Sequence, residues 1–134
     1  NKSIEIKTTR NQTALDVKIS NENQLDNSYV KELDLIVYRL EIVNTGDTIY
    51  DLYMEIISLL PLKYKNEFKS KIIKIGFNVN DISELHKFKL VDRYEFIVND
   101  NFPKITKTNI SQAIHDVKYS LSLDGIESKW FKYE

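Results

Sequence analysis

The segment Ser3–Thr9, SIEIKTT, places a carboxylate and an ammonium group two residues apart near the N-terminus. Side chains alternate between the two faces of a strand, so Glu5 and Lys7 share one face while Ile4 and Ile6 share the other. A carboxylate can bind Mg²⁺, and a neighbouring ammonium can orient an attacking water and stabilise charge on a phosphate. The segment therefore predicts a half-buried strand with the isoleucines inward, carrying either half of a hydrolytic metal site or a solvated polar edge.

The Glu-x-Lys spacing alone does not distinguish these two interpretations. Glu127 and Lys129 have the same spacing near the C-terminus, but no apolar strand pattern surrounds them. The setting of Glu5 and Lys7 within an alternating apolar strand is what makes this pair the better candidate.

Composition and charge restrict the class of protein. The chain has 134 residues, enough for one domain with its own core, and its formal net charge of -1 gives no global attraction to nucleic acid or anionic membrane. It has no cysteine, which excludes thiolate zinc sites and fits a reducing cytoplasm. No apolar run approaches the roughly 18 residues of a membrane span, so we expect a cytoplasmic protein without membrane contact. Because the chain begins with Asn1, we also expect residues 1–134 to form a single domain at the C-terminal end of a longer protein.

Hydrophobic periodicity predicts a mixed order of strands and helices. Leu25, Tyr29 and Leu33 fall at helical spacing, which predicts a helix over 21–32 with Ser20 as its cap. Asp47 is positioned to cap a helix that ends near Pro61. The predicted strands are 3–9, 14–20, 35–43, 87–98 and 117–123, and the predicted helices are 21–32, 47–60 and 62–75, with a turn at 78–83. This order is typical of an α+β, or mixed α/β, architecture with helices packed on a sheet.

Several other kinds of site are not supported by the sequence. His86 and His115 are far apart and belong to no cluster with zinc-ligand spacing. The chain has three glycines and lacks the glycine-rich phosphate-binding motifs. The lysines of 62–75 spread around the helix, which favours a solvated surface over a DNA-binding stripe. At the C-terminus, Trp130, Phe131 and Tyr133 are predicted to form an apolar plug rather than a base-stacking platform.

The succession SIEIKTT, DVKISNENQLD and LIVYRLEIV resembles the catalytic end of the PD-(D/E)XK nuclease superfamily. The later stretches IGFNVNDISELHKFKLVDRYEFIVNDNFPKI and ISQAIHDVKYSLSL are similar to a group of bacterial restriction-like proteins within it. The resemblance covers most of the chain. It implies a restriction-endonuclease-like sheet flanked by helices, with additional C-terminal strands.

The resemblance also implies roles for individual residues. Glu5 stands where the superfamily has its second acidic metal ligand, Lys7 where it has its catalytic lysine, and the carbonyl of Ile6 would be a further ligand. Polar residues of the following helix often face the site, which makes Gln24 a secondary catalytic candidate and Glu22 a secondary DNA-contact candidate. Each has a simpler explanation, since Glu22 can complement a helix dipole and Gln24 can be solvated.

Contacts to DNA would come from residues close to this strand. Their shared property is the ability to bind phosphate oxygens through a cation or a hydroxyl. These candidates are Thr8, Thr9, Arg10 and Lys18. The implied cofactor is Mg²⁺, for which Mn²⁺ can substitute, and the implied partner is DNA.

One feature of the superfamily is missing from the chain. Its first metal-binding Asp lies on the strand before the Glu-x-Lys strand, and here only Asn1 and Lys2 precede Ser3. We expect that acid either on an upstream segment or lost, while Asp16 on the next strand is an alternative that the spacing does not require.

Two functions therefore remain open. One is a Mg²⁺-dependent DNA endonuclease of restriction or phage-defence type, for which a homodimer or further subunits of a defence complex are plausible partners. The other is a non-catalytic DNA- or protein-binding domain that keeps the nuclease fold.

Overall fold

The computed structural model describes residues 1–81 and 85–134, so the predicted turn at 78–83 lies partly outside the described residues. The chain divides into two compact units, residues 1–41 with 90–134 and residues 42–89. The described elements are β1 (Lys2–Thr9), β2 (Asp16–Ile19), β3 (Glu32–Asp47), α1 (Ile49–Leu59), α2 (Leu62–Lys74), β4 (Phe88–Ile97), a 3₁₀ helix (Lys107–Asn109), β5 (Tyr119–Ser122) and β6 (Lys129–Lys132). This confirms the predicted α+β class.

The strands form two sheets. The larger sheet has the order β1-β3-β4-β6, and the smaller one pairs β2 with β5. β1 runs parallel to β3, whereas β6 runs antiparallel to β4. The amide of Val98 donates to the carbonyl of Leu33 at 2.9 Å and that of Val43 to Lys87 at 3.1 Å, so β3 and β4 are antiparallel. β1 and β6 are therefore the edge strands of the described sheet.

The main core lies in the first unit, on one face of the larger sheet. Leu33, Leu35 and Val37 alternate along β3 and are each at most 5% exposed. Alternation of this kind buries one face of a strand against a second layer, here formed by β2. The other buried members of the cluster are Leu15, Val17, Ile19, Leu25, Phe96, Val98, Phe102 and Leu123.

The orientation of β1 is opposite to the prediction. The parallel register places Glu5 beside Leu35 and Lys7 beside Val37, so the charged pair shares the core-facing side of the sheet. Ile4 is 52% exposed and Ile6 is 57% exposed on the other face. The prediction that the isoleucines face inward was wrong, because the pairing with β3 decides the faces and an edge position lets the charged side chains reach solvent.

The predicted helix over 21–32 was also wrong. Residues 21–30 form turns, and β3 begins at Glu32. Within the turns, the amide of Asn23 donates to Oδ1 of Asn21 at 2.9 Å, and the amide of Ser28 donates to Oδ1 of Asp26 at 2.9 Å. Such local side-chain acceptors compete with helical hydrogen bonds, which explains why the apolar spacing did not produce a helix.

The second unit contains the two helices near their predicted positions. Thr48, rather than Asp47, is the N-cap of α1, and it forms a capping box with Asp51. Asp47 is instead the last residue of β3. The Tyr53 ring contacts the rings of Phe68 and Phe77, with centroid distances of 5.9 Å in both cases. α2 ends just before Gly76, whose φ of 92° suits a helix stop.

Two of the three C-terminal aromatic residues are exposed and so do not form the predicted apolar plug, while Tyr133 is half-buried. Trp130 and Phe131 lie in β6, an edge strand whose four residues are all exposed. The strand predicted over 117–123 is present as β5. Among the described helices, none has the length and hydropathy needed to cross a bilayer.

Candidate active site on the first strand

Three of the predicted site residues are in contact. The ammonium nitrogen of Lys7 lies 3.2 Å from Oε1 of Glu5 and donates to Oε1 of Gln24 at 2.8 Å. Glu5 and Lys7 meet because they are two residues apart on one strand face. We call these residues the Glu5–Lys7–Gln24 cluster.

Gln24 reaches the cluster from a turn and not from the predicted helix. Its Oε1 also accepts a hydrogen bond from the amide of Ser20 at 2.9 Å, which connects the carboxamide to the end of β2. The next residue, Leu25, is fully buried in the core. These two attachments fix the position of Gln24 relative to β1.

The cluster is only partly accessible to solvent. The side chain of Lys7 is 15% exposed and that of Glu5 is 24% exposed. Partial burial reduces the screening of the ion pair by water, so its electrostatic interaction is stronger than that of a fully exposed surface pair. Solvent still reaches the carboxylate and the ammonium, as a site that binds an ion or a phosphate requires.

The candidate DNA-contact residues lie outside these contacts. Thr8 is exposed on the opposite face of β1, and Oγ1 of Thr9 accepts from the amide of Asn11 at 3.2 Å. Arg10 and Lys18 are exposed and Glu22 is half-buried. Within the described ranges, none of the five forms a hydrogen bond or ion pair with the cluster.

The donor set for a metal is incomplete within the described part of the chain. Glu5 provides a carboxylate and Ile6 a backbone carbonyl, both of the oxygen type that Mg²⁺ prefers. No group of three or more Asp, Glu, His or Cys side chains suited to a metal occurs in residues 1–81 and 85–134. Asp16, the alternative second acid, is exposed at the start of β2. The oxygen chemistry fits a divalent cation, but a further acid is needed for a two-acid site.

The Glu-x-Lys segment near the C-terminus behaves differently. Glu127 lies in the loop before β6, and Lys129 is the first residue of that strand. The described residues show no ion pair between these two side chains. Of these two segments, β1 is the one whose acid and lysine form an ion pair in the part of the chain that the structure describes.

One surface cavity is separate from the cluster. It has a volume of about 420 Å³, and it is bordered by Asp34, Glu95, Phe102 and Glu127, among others. Asp34 pairs with Ile4 in the register of the sheet, which places it on the face opposite Glu5 and Lys7. The candidate active site is thus identified by its side-chain chemistry and not by the volume of a cavity.

Sequence reasoning missed a second charged group in the core. Nη1 of Arg39 donates to Oδ2 of Asp92 at 2.8 Å and to the hydroxyl of Tyr94 at 3.0 Å. The indole Nε1 of Trp130 donates to Oδ1 of Asp92 at 2.9 Å. Asp92 is 6% exposed, so these partners compensate a buried charge. No local pattern signals this network, because its members come from three different strands.

Residues 1–124 match the family described as "Putative PD-(D/E)XK family member, (DUF4420)". The chain belongs to this family. The predicted resemblance is therefore confirmed, and the mixed α+β architecture agrees with a restriction-endonuclease-like fold. No curated protein and no solved structure matches the chain.

Membership of this PD-(D/E)XK family is consistent with a nuclease-like protein, DNA as substrate and a divalent metal as cofactor. The matched range includes β1 and the turn that carries Gln24, so the Glu5–Lys7–Gln24 cluster lies within the family region. β6 lies beyond it.

Proposed function

We propose that this chain carries part of a nuclease site that hydrolyses phosphodiester bonds in DNA with a divalent metal. The proposed metal is Mg²⁺, for which Mn²⁺ can substitute. The observation that carries the proposal is the contact of Lys7 with both Glu5 and Gln24. Membership of a PD-(D/E)XK family supports the same chemistry.

Each member of the cluster has a distinct proposed role. Glu5 is the carboxylate ligand and the carbonyl of Ile6 a further oxygen donor for the metal, which would activate a water and stabilise charge on the phosphate. Lys7 orients the attacking water and offsets the negative charge that develops on the phosphate oxygens. Gln24 is a positioning residue, since its carbonyl oxygen holds the ammonium of Lys7. Arg10, Lys18, Thr8, Thr9 and Glu22 remain proposed contacts to DNA.

The proposal includes one acid in addition to Glu5. The resemblance places this acid upstream of the Glu-x-Lys strand, and the described carboxylates do not provide it beside Glu5. We propose a single domain that is completed by such a segment, and a test of activity therefore needs the protein with its natural N-terminus.

The proposed biological setting is restriction or phage defence in the cytoplasm. Cleavage of both DNA strands generally needs two sites, so a homodimer is part of this proposal, as is association with other subunits of a defence complex.

A non-catalytic DNA- or protein-binding domain is the second candidate function. It is favoured by the incomplete set of acids in the described residues.

Nicking of supercoiled plasmid DNA distinguishes the two functions. We expect the protein with its natural N-terminus to nick the plasmid in Mg²⁺ or Mn²⁺ and to stop doing so in EDTA. Glu5→Gln and Lys7→Ala should abolish nicking, whereas Glu127→Gln and Lys31→Ala, the matched changes outside the cluster, should not. DNA binding without cleavage by the unaltered protein in either metal would support the non-catalytic domain instead.

A further inference from the structure

The last strand of the larger sheet exposes two aromatic rings. Trp130, the only tryptophan of the chain, is 57% exposed, and Phe131 is 39% exposed. Adjacent residues of a strand point to opposite faces, so both faces of this edge carry a ring. Large aromatic side chains that stay at the surface are characteristic of binding sites.

The ring of Trp130 is held in a defined orientation. Its Nε1 donates to Oδ1 of Asp92 at 2.9 Å, and the other oxygen of Asp92 accepts from Arg39 at 2.8 Å. Because Asp92 is buried and held by Arg39, it anchors the polar edge of the indole. The ring surface left in solvent is therefore preorganised, which reduces the entropic cost of binding a flat partner.

The uncompensated charge on this strand is positive. The two carboxylates of β4 that lie beside β6, Asp92 and Glu95, are each paired with an arginine, at 2.8 and 3.1 Å. Lys129 and Lys132 belong to no ion pair in the part of the chain that the structure describes. The guanidinium of Arg93, which is paired with Glu95, lies 4.2 Å from the centre of the Phe131 ring. The two exposed rings are thus flanked by lysines that can attract an anionic chain.

We propose that the β6 edge, defined as Lys129–Lys132 together with Arg93, binds single-stranded nucleic acid. An unpaired base stacks on Trp130, and the lysines contact the adjacent phosphates; this combination is general among proteins that bind single strands without sequence preference. The inference rests on the proposed function in taking DNA as the partner, and it adds a contact outside the Glu5–Lys7–Gln24 cluster.

The single tryptophan allows a direct measurement. In EDTA, titration with a 15-nucleotide oligodeoxythymidylate should quench the fluorescence of Trp130 to saturation, because a stacked base quenches the indole. The quenching should weaken as salt increases, since the lysines displace cations from the phosphates. A duplex of the same length should quench less, because its bases are already stacked within the helix. Absence of quenching by the single strand at low salt overturns the proposal.

Variants separate stacking from general attraction to anions. With a fluorescein-labelled oligonucleotide, anisotropy should show binding weakened about tenfold or more by Trp130→Leu and weakened by Lys132→Gln, but unchanged by Lys31→Gln. Lys132 is exposed, so its substitution keeps the test valid even if Trp130→Leu fails to fold. Equal binding by unaltered protein and Lys132→Gln, or equal quenching by polyglutamate, contradicts the proposal.

The binding assay is independent of catalysis. It is performed in EDTA, so it measures binding without cleavage. If the protein binds the oligonucleotide but never nicks plasmid, the proposal for the β6 edge stands and the nuclease proposal fails. If the protein nicks plasmid but shows no quenching, the nuclease proposal stands and the proposal for the β6 edge fails.

Discussion

The amide oxygen of Gln24 lies 2.8 Å from the ammonium nitrogen of Lys7, although 17 residues separate them in sequence. The same oxygen accepts from the backbone of Ser20. The carboxamide is thus oriented by the backbone and in turn orients the lysine. A site in which a proposed catalytic ammonium is held from two sides is sensitive to changes in residues that do not contact the substrate.

Gln24→Ala should lower the nicking rate about 10- to 100-fold, the usual effect of removing a residue that supports a site. Gln24→Glu keeps an oxygen acceptor for both Lys7 and Ser20 and should retain more activity than Gln24→Ala. Initial rates of plasmid nicking in Mg²⁺, measured at saturating DNA, test this order. Equal rates for the two variants would contradict a positioning role for Gln24.

Asp92→Ala should destabilise the protein strongly. The substitution leaves the partly buried Arg39 without its carboxylate partner and Trp130 without its acceptor. Removing one partner of a buried ion pair generally costs about 3–5 kcal/mol. Urea unfolding followed by circular dichroism measures this loss.

The matched control for Asp92 is a double substitution. Asp92→Leu combined with Arg39→Leu removes both charges together, so it should cost less than the sum of the two single changes. A urea midpoint for Asp92→Ala that equals that of the unaltered protein would show that the network does not stabilise the sheet.

Sequence patterns predicted those features that depend on residues close together in the chain. The Glu5–Lys7 contact follows from strand alternation, and α1 and α2 follow from helical periodicity. The same reasoning failed over 21–32, where Asn21 and Asp26 accept local backbone hydrogen bonds and the chain turns. Local competition of this kind is hard to weigh against apolar spacing from sequence alone.

Features that depend on distant segments were not predictable. The exposure of Ile4 and Ile6 follows from the register between β1 and β3, which the sequence of β1 does not encode. Asp92 and Arg39 are 53 residues apart, and the local sequence around each residue does not predict that they pair. The resemblance predicted Gln24 as a site residue, but the turn that places Gln24 beside Lys7 was not predicted.

Gly46→Ala should destabilise the pairing of β3 with β4. A Cβ atom at Gly46 would lie 2.4 Å from the carbonyl oxygen of Phe88, and this backbone atom cannot move aside as a flexible side chain could. Overpacking of this kind costs about 1–3 kcal/mol. We expect a lower urea midpoint and faster hydrogen exchange at the amide of Val43, which bonds to Lys87 in the same strand pair.

Gly76→Ala is the control for steric contact. No atom lies within 4 Å of the Cβ position at Gly76, so the only penalty is its positive φ of 92°. Its substitution should leave hydrogen exchange at Val43 unchanged. Fast exchange at Val43 in both variants would show that the contact with Phe88 is not the cause.

Acidification should weaken the start of α1 through Asp51. Hydrogen bonds from the backbone and then the side chain of Thr48 hold the pKa of Asp51 below its ordinary value of 3.8. Because the folded-state pKa is lowered, the stabilisation is complete above the ordinary value and is lost as pH falls through the lowered pKa. Carboxyl NMR titration should show Asp51 titrating below an unstructured aspartate, and Thr48→Ala should move its pKa back towards 3.8. An unchanged titration in Thr48→Ala would mean that the side chain of Thr48 does not contribute.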